Sequence, residues 1–253
     1  MPGARFWTER IPLRAVPELR SARLREPHGA DELALDGVDT GAAVALLDRL
    51  TDGPSDAGTL AATDRDALLA ALHRGLWGDR IVAPLDCAAC GAAYDLSFEL
   101  SALQRSLEEA REPSEPVAER TLEDAAGRRY RLPDAAEENA AADLGPAAGR
   151  ARLSASIAGE ADDPALEARL EALAPIIDVD LDAPCAECGH GALVRFDIQS
   201  FVLQRLLDER DGLIAEVHAL AGGYGWSLHE IVALPRSLRR AFAERLAGAP
   251  AFG

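Results

Sequence analysis

The pattern Cys-x-x-Cys-Gly occurs twice, as CAACGAAYDLSFEL at 87–100 and CAECGHGALVRFDI at 185–198, and these two phrases contain every cysteine of the 253-residue chain. A turn of this kind presents two sulfurs to one point, and the glycine after it supplies a backbone position where a Cβ would be a burden. Tyr94, Leu96, Phe98 and Leu100 alternate with small or polar residues after the first pair, and ALVRFDI follows the second, so each turn sits at the tip of a strand pair. RIVAPLD and IIDVDLDAP are the strands that lead in. Two such hairpins brought together offer four thiolates, Cys87, Cys90, Cys185 and Cys188, which is the ligand set of a structural zinc ion in a ribbon.

The distance along the chain between the pairs is far greater than in a compact ribbon, so the reading requires an insertion between two halves of a discontinuous one. A redox role for either pair lacks the βαβ surroundings of thioredoxin-like motifs. Inert thiols, or half-sites completed between subunits, are the remaining alternatives. His190 can compete as a ligand, but Gly189 separates it from Cys188, so CAECGH is not a haem attachment motif. Four cysteine ligands leave no open position, and such a metal holds a fold rather than performing chemistry.

No stretch has the apolar length of a membrane span, and the first residues, MPGARFWTERIPLR, lack the apolar run of a secretion signal. A cytoplasmic location is the expectation, and a reducing compartment favours metal ligation over disulfides. The net charge is −17, with 43 acidic residues against 26 basic ones, all arginine. A nucleic-acid backbone is therefore not the expected main partner, because that binding draws on concentrated positive charge.

The first 35 residues read as an arm with scattered apolar anchors: Phe6, Trp7, Ile11, Leu13, Val16 and Leu19. Thr40 is placed to cap a short helix carrying Val44, Leu47 and Leu50. Thr63 and Asp66 have capping-box spacing ahead of the stripe Leu68, Leu69, Leu72 and Leu76, and Trp77-Gly78-Asp79 ends that helix. Residues 101–184 hold most of the acidic excess. Within them EEAREPSEPVAE reads as a solvated linker, EDAAGRRYRLP as a hairpin about Gly127, and DPALEARLEALA as a helix. Beyond residue 198 the spacing is helical through Leu220, with a light break at Gly212 and a stop at Gly222-Gly223. Ser227 and Glu230 open a short helix and RSLRRAFAERLAG forms the last.

Enzymatic signatures are missing: there is no P-loop, G-x-G-x-x-G or G-x-S-x-G, His28, His73 and His229 have no partner at a recognisable spacing, and His218 reads as a packed or surface-polar residue of an apolar helix. The carboxylates of DVDLD read as the solvated face of a strand. Two readings of the C-terminal helices compete. Arg236, Arg239, Arg240 and Arg245 can form the basic face of a helix-turn-helix, giving a zinc-ribbon DNA-binding regulator. Alternatively Tyr224 and Trp226, flanking Gly225, are aromatic anchors for a protein partner, unless they simply close the helical core.

The ordered set LREPHGADE, TDRDALLAALHRGLWGDRI, CAACG, CAECG, FDIQSFVLQRL, EVHAL and YGWSLHEIVALPRSLRRAF resembles the baseplate hub assembly chaperones of the T4-phage type, in the versions carried by bacterial contractile injection systems. The resemblance runs from about residue 24 to 246 and is loosest over 101–184. Where the family often has Pro after the first cysteine of a pair, Ala88 and Ala186 stand here, which loosens the turn. The resemblance implies a non-enzymatic assembly factor acting on the hub or spike of a contractile tail-like particle. It carries Tyr224, Gly225, Trp226, Ser227, Glu230, Ile231 and Leu234 as motif positions and the four cysteines as the metal set. The expected architecture is α+β: an N-terminal arm and helical region (1–80), a discontinuous zinc ribbon (81–100 and 175–197), an acidic insertion (101–174) and a C-terminal three-helix unit (198–253). Within that last unit Tyr224, Trp226, Glu230, Arg236, Arg239 and Arg240 are the candidate partner-binding residues.

Overall fold

The structure, a computed structural model, describes residues 7, 9–17, 21–52, 56–158 and 164–248. It is an α+β chain in which helices carry four small antiparallel sheets. The main core lies where α2 (Thr40–Leu50), α3 (Ala62–Trp77) and α8 (Ile198–Asp208) meet, through Leu46, Leu47, Leu50, Leu68, Leu69, Leu72, Val202 and Leu203. Each leucine buried there is worth about 1.5–3 kcal/mol against exposure.

The N-terminal arm lies on this core. Strand β1 (Ile11–Pro12) pairs with β2 (Ser21–Ala22), and Leu13, Ala22 and Leu24 are buried. The backbone N–H groups of Arg14 and Ala15 donate to the buried carboxylate of Asp64, at 2.5 and 3.0 Å. Phe6 and Leu19 lie outside the described residues. A one-turn helix, α1 (Gly29–Ala34), precedes α2, whose cap is Asp39, accepting from the Ala42 N–H at 2.8 Å, rather than Thr40.

The start of α3 also departs from its expected cap. Ala61 occupies that position with no side-chain bond, while Thr63 Oγ1 donates to the Pro175 carbonyl at 2.8 Å and Asp66 accepts from the Ile177 N–H at 2.8 Å. Both side chains hold the entry to the second cysteine hairpin. The other end of α3 stops at Gly78, φ 88°, and feeds the first hairpin directly. One helix therefore positions both hairpins.

The segment between the hairpins is folded. After α4 (Leu100–Ala110), strands β5 (Ser114–Ala118), β6 (Thr121–Asp124) and β7 (Arg129–Arg131) form a sheet turning at Gly127, φ 76°. Helices α5 (Ala135–Ala142), α6 (Pro146–Ala158) and α7 (Pro164–Leu173) complete it around Leu122, Tyr130, Leu132, Ile157, Leu166 and Leu173. The stretch expected to be a solvated linker is the end of α4 and strand β5. Acidic composition misleads here because arginines absorb the charge: Arg120 pairs with Asp134 and Glu137, each at 3.1 Å, and Arg128 pairs with Asp124 at 3.1 Å.

Four helices, not three, form the C-terminal part: α8, α9 (Arg210–Tyr224), α10 (Leu228–Val232) and α11 (Arg236–Gly248). The break falls at Glu209 rather than Gly212. The Glu209 carboxylate accepts from Trp77 Nε1 at 2.8 Å and pairs with Arg236 and Arg240, which turns the chain there. Helix α9 runs through Gly222 and Gly223 and ends at Gly225, φ 70°. Gly223 packs against the Leu246 side chain, whose tip would have to shift for a Cβ, 2.7 Å away.

Candidate metal centre and the C-terminal face

Strands β3 (Arg80–Asp86) and β4 (Ala93–Glu99) pair in register from Arg80 with Glu99 to Asp86 with Ala93, and β8 (Asp178–Asp182) pairs likewise with β9 (Leu193–Asp197). The cysteine turns are their tips. In each, the N–H of the glycine donates to the carbonyl of the first cysteine, Gly91 to Cys87 at 2.8 Å and Gly189 to Cys185 at 2.9 Å. Gly91 and Gly189 have φ of 70° and 71°, the left-handed region that favours glycine.

The two hairpins are copies in their surroundings as well. Each β strand after a turn runs straight into a helix, β4 into α4 and β9 into α8, and the first helical N–H is bound the same way: Leu100 to the Asp79 carbonyl at 2.9 Å, Ile198 to the Ile177 carbonyl at 3.0 Å. Phe98 and Phe196, in matching places, meet edge to face with centroids 5.0 Å apart. Tyr94 reaches across to donate to the Ala183 carbonyl at 2.9 Å. Ile81, Leu100, Phe196 and Ile198 root both hairpins in the main core.

These contacts bring all four sulfurs within 4.8 Å of one another, with Cys87 and Cys188 3.7 Å apart and Cys90 and Cys185 3.8 Å apart. Zinc held by four thiolates at about 2.3 Å in a tetrahedron requires sulfurs roughly 3.8 Å apart, so the donor set fits a metal ion of that kind. Cys87 and Cys185 are buried, while Cys90 and Cys188 face outward. Backbone N–H groups of Cys90 and Ala89 draw the Cys87 thiol down to about 6. Cys188 is pushed up to about 12: the N–H of His190 favours its thiolate, but burial and the crowding sulfurs of Cys90, Cys87 and Cys185 outweigh that bond. Cys87 ionises readily and Cys188 resists ionisation, so a bound cation is what would hold both as thiolates.

The cluster consists of sulfurs alone, and His190 contributes its carbonyl to the turn, accepting from the Cys185 N–H at 2.9 Å. In DVDLD, Asp178 is held by Arg195, whose Nε stands 2.6 Å away. His73 is fully buried between Trp77 and Phe201, with Arg205 3.4 Å from its Nε2, and burial together with that guanidinium pushes its pKa down to about 4.

The C-terminal residues divide sharply. Arg236 and Arg239 are buried, 3% and 1% exposed, and both pair with Glu32 of α1, Arg239 at 2.9 Å. Arg239 also pairs with Glu216 at 2.7 Å, and Arg240 bridges Glu209 at 3.0 Å and Glu216 at 3.3 Å. Arg236 and Arg239 tie LREPHGADE to the last helix, and Arg240 ties that helix to Glu209 and Glu216, instead of the three forming an open basic face. The Arg236 N–H donates to the Pro27 carbonyl, and Glu26 accepts from the Ser237 N–H, reinforcing the clasp. Glu230 serves the capping box with Ser227. Tyr224, 41% exposed, by contrast stacks at 4.8 Å on the half-buried Trp226, with Phe242 edge-on to both. Leu228 and Leu238 are exposed large apolar side chains of the same unit.

Glu32, Glu209 and Glu216 escaped sequence reasoning, as did the pairing of Thr63 and Asp66 with the second hairpin. The one available signal was Glu32 within LREPHGADE, a phrase with no periodic role of its own. Compared with family models, curated proteins and solved structures, the chain finds no match. Among the described residues, no helix is long and apolar enough to cross a membrane.

Proposed function

We propose that this chain is a non-enzymatic assembly factor whose discontinuous four-cysteine ribbon, closed on structural zinc, holds a helical unit that docks a protein partner. The hub or spike of a contractile tail-like particle is the partner implied by the sequence resemblance. The observation that carries the docking role is the aromatic stack of exposed Tyr224 on half-buried Trp226, with Phe242 edge-on to both. Rigid aromatics of this kind dominate binding energy at protein interfaces. The motif phrases also belong together in space: LREPHGADE and PRSLRR are joined through Glu32, Arg236 and Arg239. A regulator that reads DNA through Arg236 and Arg239 has less support, since both are buried in ion pairs.

The test is affinity capture of the tagged chain from its own cells, wild type beside Trp226→Ala. Hub, spike or other baseplate components should be recovered with the wild type. The variant should lose them while keeping its melting temperature within a few degrees. A variant that unfolds outright would show that the stack closes the core rather than meeting a partner.

A further inference from the structure

The four sulfurs are not equivalent. Cys90 and Cys188 are open to solvent, and each stands close to the buried first cysteine of the opposite hairpin, Cys185 at 3.8 Å and Cys87 at 3.7 Å. Both of these pairs run across the hairpins. A disulfide has its sulfurs about 2.05 Å apart, so closing either pair needs a shift of under about 2 Å, within reach of small side-chain rotations.

We infer that the centre is an oxidant-sensitive modification site, in which a peroxide converts the metal clasp into a covalent one by linking Cys87 to Cys188 or Cys90 to Cys185. One thiolate of the pair attacks one peroxide oxygen, an S–O bond forms, the O–O bond breaks and water leaves after protonation. The sulfur of the facing hairpin, as its thiolate, then attacks that sulfur, the S–S bond forms and the S–O bond breaks with loss of a second water after protonation. One hydrogen peroxide is reduced to two waters, two thiolates are oxidised to one disulfide, and the two remaining sulfurs take up protons. With two of its four donors gone, the metal ion departs. The hairpins stay joined, because the new bond crosses the same gap that the metal spanned.

This inference rests on the ribbon reading for the departing metal but not for the pairing of sulfurs. Purified protein is analysed for metal first, then titrated with hydrogen peroxide while a chromogenic chelator records release. Free thiols are alkylated, the chain is digested without reductant, and linked peptides are identified by mass spectrometry. The same map is made on chelator-stripped protein. Expected are peptides joining the 87–90 turn to the 185–188 turn, a single metal ion released per chain, and rebinding after reduction. Links within a turn, Cys87 to Cys90 or Cys185 to Cys188, would overturn the inference, as would sulfinic acids without a disulfide or a metal that stays bound through excess peroxide. A chain that carries no metal before treatment contradicts the zinc reading alone, and the map on stripped protein still decides the pairing.

Discussion

Asp66 sits in the core at the start of α3, 8% exposed, and accepts from the Ile177 N–H at 2.8 Å. Burial raises its pKa to about 7 from the ordinary 3.8; the bond from Ile177 and the charge of Arg65 oppose the rise, and the charges of Asp197 and Glu138 add to it. Because the folded state holds the proton more tightly than the unfolded one, the stability Asp66 contributes is full below pH 3.8 and is lost as pH rises through about 7. Between pH 5 and pH 8 this loss amounts to about 3 kcal/mol, at 1.36 kcal/mol per pH unit over the part of the titration that falls in that window. Asp66→Asn preserves an acceptor for Ile177 and does not titrate. Its stability relative to wild type should therefore rise by about that amount between pH 5 and pH 8. Urea melts of both proteins at each pH, with metal present at a fixed level, measure the difference. A stability gap that is constant across this range, or that shrinks as pH rises, would refute the account of Asp66 as a neutral strut for the second hairpin.

Three further outcomes follow from the packing. Glu32→Gln removes the charge shared by Arg236 and Arg239 and should cost about 3–5 kcal/mol in chemical denaturation, the penalty of a buried pair left half-made. Gly29→Ala places a Cβ 2.9 Å from Arg239 Nη1 and 3.0 Å from the Val232 backbone, and should cost about 1–3 kcal/mol by the same assay. His73 has a folded pKa lowered to about 4, so it favours the folded state above its ordinary value of 6.5, and that contribution is lost as pH falls from 6.5 towards 4. His73→Gln should flatten this part of the stability profile in thermal melts.

The cysteine turns and their strands were legible because their determinants are local: the glycine after each pair, the two-residue alternation, and the glycine at 78 that stops α3. That the hairpins meet was legible only through chemistry, since Cys90 and Cys185 are 95 positions apart and nothing in either stretch names the other except shared sulfur. Side chains with two possible uses were misread. Thr63 and Asp66 have the spacing of a capping box, yet both are drawn to the Pro175–Ile177 segment, because the buried entry to that strand needs its backbone groups satisfied. Arginine was misread for a related reason. The phrase RSLRR looks like a basic face in isolation, and only the fold reveals Glu32 and Glu216 waiting beneath it. Likewise the acidic middle could be recognised as compositionally distinct, but its order depends on pairings such as Arg120 with Asp134, which charge counting alone does not reveal.

The claim on which the architecture most depends is that two distant hairpins close on a metal ion. Elemental analysis of the chain purified without added metal, beside Cys185→Ser, tests it most directly. The account predicts a single zinc ion per wild-type chain, loss of that ion in the variant, and a lower melting temperature with it. Zinc retained by Cys185→Ser with an unchanged melting curve would contradict it.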